Sequence, residues 1–433
     1  MSEFDRIIGY ENIKAELKRF ADVLKEPEKY SKLGVNTPSG ILLYGAPGLG
    51  KTLMANCFVK ETGCRVFSLR KEKPNGDFVN QIKETFEAAK SEAEGIKIVF
   101  LDDMDKFANE DDRHRNAEEY VAVQSCIDDC KGYGIFVFAT VNDRYCLPDS
   151  LLRAGRFDKV IEVNAPRGKD AELIIREFLN QKNITGNIDT EEISRIMEGG
   201  SCAELETVIN EAGIYAGYLG KDKIEQSDVI KACMRKMFDA PENINSEDDE
   251  NTERLAVHEA GHAVIAEVLE PGSVTLVSLC RHTGSVGGMT KTHRPDGIVL
   301  SKDLQEHTVI TGLGGKAAIE IVYGVADVGC ENDMNDVFDQ VSEFVDPNCT
   351  LGFDTFERCG SSTFLSERKD RLIASEVERY YKLSKRILVE NRGFFDAVVA
   401  ALKENKTITY RGMQKIREAL SHTAQKEVEK VKE

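Results

Sequence analysis

The octapeptide Gly45-Ala46-Pro47-Gly48-Leu49-Gly50-Lys51-Thr52 constrains this chain more than any other segment. It fits the pattern G-x-x-x-x-G-K-[ST] and lies between the apolar run Ile41-Leu42-Leu43-Tyr44 and a helical run that begins at Leu53, the strand–loop–helix context such a loop needs. Its glycines let backbone N–H groups turn inward on a chain of phosphates, and the helix start adds partial positive charge. Lys51 reaches the outer phosphates and Thr52 is a ligand for Mg²⁺. Gly45, Pro47, Gly48, Leu49, Gly50, Lys51, Thr52 and Leu53 are therefore the expected nucleotide-binding set. A strand feeding a loop of this kind belongs to a parallel sheet in an α/β fold. The pattern continues accordingly, with β-branched or aromatic runs at Val66 to Leu69, Ile96 to Leu101, Ile135 to Val141 and Val160 to Val163, separated by charged amphipathic stretches.

The third of these strands ends in Asp102-Asp103, acids placed to hold the Mg²⁺ shell (Asp102) and to orient the attacking water (Asp103). After Pro166 the strand signals stop and apolar residues recur at helical spacing, which predicts about four short helices as far as residue 238. Residues 239–253 hold many acids and no base before Arg254, so they read as a solvated linker. From there to about Val428 the chain is mainly helical by pattern, interrupted by a Gly-rich, β-branched segment from Val274 to Thr290. A chain of 433 residues at about 150 residues per domain divides into roughly three domains. The expected boundaries are 1–165, 166–238, the linker 239–253, and 254–428.

The balance of 57 basic against 75 acidic residues leaves a formal charge of -18, which repels nucleic acid and anionic membrane surfaces at long range. No window approaches the roughly 18 consecutive apolar residues of a membrane span, and the N-terminus lacks the apolar stretch of a secretory signal. The expectation is a cytoplasmic protein with no nucleic-acid partner. The 11 cysteines are scattered without a C-x-x-C pair; Cys126 and Cys130 stand one helical turn apart with no second pair to complete a thiolate metal site.

A second demanding pattern is His258-Glu259-Ala260-Gly261-His262, an H-E-x-x-H inside the helical run Arg254 to Leu269. Positions i and i+4 share one helix face, so both imidazoles reach one Zn²⁺ while Glu259 stands beside it as general base. Zn²⁺ at such a site acidifies water and polarises a peptide carbonyl, the chemistry of a metallopeptidase. Gly261 costs the helix about 1 kcal/mol relative to Ala, which points to a close approach by substrate or backbone. A third ligand is required, and spacing leaves His282, His293, His307, Glu320 and Asp333 all open.

Residues 5–238 resemble an AAA+ ATPase module, with GAPGLGKT as Walker A, IVFLDD as Walker B, and ATVNDRYCLPDSLLRAGRFD as the second region of homology. The resemblance implies a ring, hexameric in the family, in which Asn142 senses the terminal phosphate while Arg153 and Arg156 reach the neighbouring subunit's ATP. It also implies adenine contacts from Ile8 and Gly9, and a lid motif, GGSCAE, that brings Cys202 and Ala203 to the base. Residues 252 to about 420 resemble the peptidase domain of FtsH, the AAA+ zinc metalloprotease, through TERLAVHEAGHAVI, LGGKAAIEIVYG and CENDMNDV. In that family the Asp of the Asn-Asp pair completes the zinc site, which here is Asp333, and Ser285 to Thr290 corresponds to the edge strand that holds an extended peptide.

The implied fold is an AAA+ parallel-sheet domain and helical lid followed by a mainly α-helical zincin-type peptidase. The implied activity is ATP-dependent degradation of protein substrates with Zn²⁺, ATP and Mg²⁺. A remodelling factor with a vestigial peptidase, and a peptidase uncoupled from ATP, are the competing readings. Three departures from the family stand out. Asp103 replaces the usual Glu of Walker B, Ala318-Ile319-Glu320 keeps one acid of a usual pair, and the aromatic pore loop has only Phe78-Val79-Asn80 as its nearest candidate. The family's N-terminal transmembrane region has no counterpart before residue 5, so a soluble relative is expected.

Overall fold

The computed structural model describes the whole chain except residues 1, 73–76, 93–94, 109–116, 240–249, 281–286, 295–300, 327–328, 347, 354, 357–361 and 433. Most of the acidic linker, together with His282, Ser285 and Val286, lies outside the described residues. Two compact units are present, Met1–Val229 and Ile230–Glu433.

The first unit is built on strands β1 (Gly40–Tyr44), β2 (Arg65–Arg70), β3 (Lys97–Asp102), β4 (Ile135–Val141) and β5 (Lys159–Glu162). Each lies within about a residue of its expected span. All pair in parallel in the order β2-β3-β4-β1-β5. Strand β3 is buried along its entire length, as a strand covered by helices on both faces must be. Helices α1 (Glu11–Lys25), α2 (Pro27–Ser31), α3 (Lys51–Thr62), α4 (Phe78–Ser91) and α5 (Glu118–Asp129) belong to this part. Phe58 of α3 stacks on Phe136 and leans on Phe138 of β4, while α4 and α5 close the opposite face around Val99, Val137 and Ile127. Phe78, the pore-loop candidate, is 4% exposed and packs edge-on against Phe107 at 4.8 Å. It is a core residue at the start of α4, which favours the packing role for it over a place in a pore loop.

Helices α6 (Gly168–Asn180), α7 (Thr190–Ile196), α8 (Cys202–Tyr218) and α9 (Gln226–Phe238) supply the four expected after Pro166. Ser201 opens α8 with a capping box: its hydroxyl accepts from the Glu204 N–H, and the Glu204 carboxylate accepts from the Ser201 N–H at 2.9 Å.

The second unit is centred on α10 (Glu250–Leu269). From Ala256 to Ala266 this helix is buried nearly all round, which its apolar and small residues permit. Around it lie β6 (Val274–Ser278), β7 (Met289–Thr292), α11 (Lys302–Gly312), α12 (Gly314–Tyr323), α13 (Glu331–Val345), α14 (Thr363–Glu390), α15 (Arg392–Asn405), β8 (Thr407–Thr409) and α16 (Tyr410–Lys432). The three strands form an antiparallel sheet in the order β7-β6-β8. The close approach foreshadowed at Gly261 is to backbone: a Cβ there would lie 2.3 Å from the Gly314 carbonyl oxygen of α12, and one on Gly314 would lie 2.7 Å from the Gly261 oxygen. Among the described residues no helix is long and apolar enough to cross a membrane.

Candidate nucleotide and metal sites

The strand order places the ends of β1, β3 and β4 side by side, where open α/β sheets bind ligands. The loop after β1 turns on glycines with positive φ, Gly45 (147°), Gly48 (78°) and Gly50 (86°). A Cβ on Gly45 would meet the Val163 carbonyl oxygen at 2.1 Å, so only glycine fits there. Lys51 is 6% exposed and donates to the loop's own Gly45 and Ala46 carbonyls (2.7 and 2.9 Å) and to Asn142 Oδ1 (2.9 Å). Burial pushes its ammonium pKa below the usual value, against the pull of the Asp105, Asp103 and Asp102 carboxylates. The Thr52 hydroxyl donates to Asp102 Oδ1 at 3.0 Å, and so does the buried Thr140 hydroxyl at 2.7 Å. Walker-type residues from three separate segments therefore converge.

A cavity of about 520 Å³ adjoins the loop. Ile8, Leu49, Gly50, Leu53 and Cys202, all singled out from the sequence, line it together with Tyr10 and Phe178, which were not. Gly9 adopts φ 67° beside Ile8, and Pro47 is exposed at the crest of the loop. The Ala203 N–H donates to the Gly48 carbonyl at 3.1 Å, joining α8 to the phosphate loop.

Three placements refine the reading. Asp103 sits in the left-handed region (φ 55°) with its carboxylate bound by Arg70 at 3.0 Å and Lys106 at 2.7 Å. Asp105, not singled out from sequence, accepts from both the Asn142 backbone N–H (3.1 Å) and its side-chain amide Nδ2 (2.8 Å). Its spacing of three from Asp102 was the available signal. Arg153 is exposed, whereas Arg156 turns back on Asp128, its Nη2 2.7 Å from Oδ2. The Arg156 hydrogen bond, with help from Lys131, holds the Asp128 carboxyl down at about 2.

In the second unit His258, His262 and Asp333 each offer one ligand atom, and these atoms lie within 4.8 Å of one another. His258 Nε2 is 3.1 Å from Asp333 Oδ2 and 3.1 Å from His262 Nε2. His262 Nδ1 lies 2.7 Å from the Thr311 carbonyl; donation there leaves Nε2 as the lone-pair nitrogen facing the cluster. Burial disfavours protonation of His262, but Asp333 and Glu259 outweigh it and raise its pKa above the ordinary value. Burial likewise pushes Asp333 up, yet the two histidines hold it well below the usual carboxylate range. The neighbouring Gly315 has a steric reason: a Cβ would fall 2.5 Å from both imidazole Nε2 atoms. A His₂-carboxylate donor set with a hydrogen-bonded second imidazole nitrogen and a cradle kept clear by glycine fits Zn²⁺.

Glu259 is 6% exposed, and its Oε2 accepts from the Thr290 hydroxyl of β7 at 2.7 Å. The other ligand candidates are engaged elsewhere. Glu320 pairs with Lys385 at 2.6 Å and accepts from the Tyr381 hydroxyl, His307 Nδ1 faces Glu270 at 3.2 Å, and His293 lines a separate cavity.

Comparison with known proteins agrees with this geometry. Residues 41–165 match the family described as ATPase family associated with various cellular activities (AAA), and residues 245–416 match Peptidase family M41. The chain is 29% identical to ATP-dependent zinc metalloprotease FtsH 2 of Thermoanaerobacter sp., covering 94% of this chain and 81% of that protein. It is 30% identical to ATP-dependent zinc metalloprotease FtsH of Caldicellulosiruptor bescii, covering 95% of this chain and 71% of that one. With FtsH of Ureaplasma parvum it shares 30% identity over 94% of its own length and 59% of the relative's. Both catalytic modules occur in one chain and in the same order, and the chain belongs to the FtsH family of ATP-dependent zinc metalloproteases.

Proposed function

We propose that residues 1–165 bind and hydrolyse ATP under a helical lid formed by residues 166–238, and that the peptidase of residues 254–428, joined through the acidic stretch 239–253, cuts protein chains delivered to it. The observation that carries the peptidase assignment is the convergence of His258, His262 and Asp333, with the buried Glu259 next to them. When bound there, Zn²⁺ supplies Lewis acidity toward a peptide carbonyl and lowers the pKa of water. Glu259 takes the proton of the attacking water and returns it to the leaving amine. Thr290 orients the Glu259 carboxylate through its hydroxyl. Main-chain groups on the outer edge of β7 hold the substrate extended, which makes few demands on its side chains.

In the ATPase, Lys51 exchanges its loop carbonyls for the outer phosphates of ATP, Thr52 and Asp102 hold Mg²⁺, and Asp103 with Asn142 orients water. Ile8, Gly9, Cys202 and Ala203 frame the base. Arg153 is the better placed of the two arginines to act on a neighbouring subunit, since Arg156 is occupied by Asp128. The ring is hexameric and the protein cytoplasmic. The test is digestion of an unfolded protein with and without ATP by wild type, Lys51→Ala and Glu259→Gln. Glu259→Gln should abolish cleavage and keep the ATPase rate; Lys51→Ala should abolish ATP hydrolysis. Undiminished digestion by Glu259→Gln overturns the assignment.

A further inference from the structure

We propose that the cavity beyond His262 is a substrate subsite of the peptidase that accepts a carboxylate side chain. Cleavage would then favour chains carrying Asp or Glu about two to three residues before the cut bond. This rests on the peptidase reading above and adds a substrate preference to it. The cavity, about 310 Å³, is walled by three elements that also build the metal site. Helix α10 contributes Ala266, one turn past His262, and is followed by Glu270 and Ser273; α11 contributes His307, Thr308 and Thr311, the last being the residue whose carbonyl holds His262. The third wall is the end of β7, Thr292, continuing into His293 and Arg294.

Side chains alternate along a strand, so Thr292 shares a face with Thr290, which touches Glu259, and stands about 6.7 Å beyond it. An extended chain added antiparallel to the outer edge of β7, with its scissile bond over Glu259, runs its N-terminal part past Thr292. A side chain about two to three residues before that bond then faces the cavity.

The lining decides what that side chain is. One carboxylate, Glu270, faces the guanidinium of Arg294 at 3.6 Å and the His307 Nδ1 at 3.2 Å, and His293 adds a second imidazole. Arg294 commits its Nη2 to the Leu304 carbonyl (2.9 Å) and the Thr308 hydroxyl, which fixes the guanidinium in place; its Nη1 makes no bond among the described residues. The Ser273 and Thr308 hydroxyls are already spent on the Ala266 and Leu304 carbonyls (3.2 Å each), so beyond Arg294 the wall adds the Thr292 hydroxyl. A carboxylate entering this space receives charge-assisted hydrogen bonds from a pre-positioned Arg, whereas a Lys side chain meets that guanidinium and finds the Glu270 carboxylate already turned to Arg294 and His307.

The experiment uses the full zinc-loaded chain and fluorogenic peptides identical except for Glu, Ala or Lys at those positions, with the cut bond located by mass spectrometry. Wild type should show a kcat/KM at least tenfold higher for the Glu than for the Lys peptide. Arg294→Gln should bring that ratio to near one and Arg294→Glu should reverse it. As a second readout, the Glu259→Gln chain without metal should bind the Glu peptide more tightly than the Lys peptide in fluorescence anisotropy. Equal cleavage of the three peptides by wild type overturns this subsite and leaves the peptidase reading standing. A wild-type chain that cuts none of them overturns both.

Discussion

Replacing Gly315 by Ala tests the metal centre through a residue that carries no ligand atom. The added Cβ would sit 2.3 Å from His258 Cε1 and 2.5 Å from the Nε2 atoms of His258 and His262, where contacts under 3.0 Å essentially never occur. Each ring must therefore retreat by at least about 0.5 Å, against a tolerance of about 0.2 Å in ligand distances. Helix α12 cannot back away to make room without opening the contact of Gly314 with the Gly261 backbone. Losing an outer partner of a metal ligand costs about 10–100-fold in affinity, and displacing two ligands at once should reach the upper end, about 100-fold or about 2.8 kcal/mol. Zinc affinity is read by competition with a chromophoric chelator, and thermal melts are run with and without EDTA. Without metal the imidazoles can rotate aside, so the two proteins should melt alike; with saturating zinc the wild type should gain the stability and the variant should lose most of it. A Gly315→Ala chain that holds zinc as tightly as wild type refutes the cradle argument.

Asp105→Ala removes the acceptor that fixes the Asn142 amide, leaving its Oδ1 no longer directed at Lys51. The ATPase kcat should fall at least tenfold while ATP affinity changes less than about threefold, a pattern that stopped-flow binding and steady-state turnover separate; an equal loss in both would mean that the fold of the site had failed. A pH prediction concerns Asp128, held at about 2 by Arg156. A depressed carboxylate stabilises the fold above its unfolded value near 3.9 and loses that contribution as pH falls toward 2. Arg156→Ala should thus melt below wild type at pH 7, with the gap closing between about pH 5 and pH 2; a gap independent of pH would exclude this pairing as its source.

The phosphate loop and the H-E-x-x-H helix were legible because their chemistry is contiguous: one turn of loop, one turn of helix. The inner strands β1, β3 and β4 were legible because burial on both faces leaves long β-branched and aromatic runs that only a sheet interior explains, while β2 and β5, more exposed, showed as shorter runs alternating with helical stretches. Asp333 stands 75 residues after His258, and only family likeness could choose it over Glu320 and the loose histidines. Thr140, Thr290 and Thr311 stayed hidden because each acts through a neighbour from another segment, and a single hydroxyl or carbonyl carries no spacing signal; Asp105 offered only its spacing of three from Asp102. Gly314 and Gly315 were recoverable in principle: two glycines opening a helix cost about 1 kcal/mol each, a sign that something presses against them. Phe78 stayed ambiguous because an aromatic at a helix start looks the same whether it projects or packs; here it fills the space beside Phe107.

The three donors of the metal centre come from two helices, the imidazoles from α10 and the carboxylate from the first turn of α13, and they already lean on one another through hydrogen bonds. Capturing a cation therefore demands little rearrangement of the chain, only the expulsion of the protons the trio shares. Loading should be quick and accompanied by acidification of the medium, and a fall in pH should eject the ion and let the same atoms close ranks again.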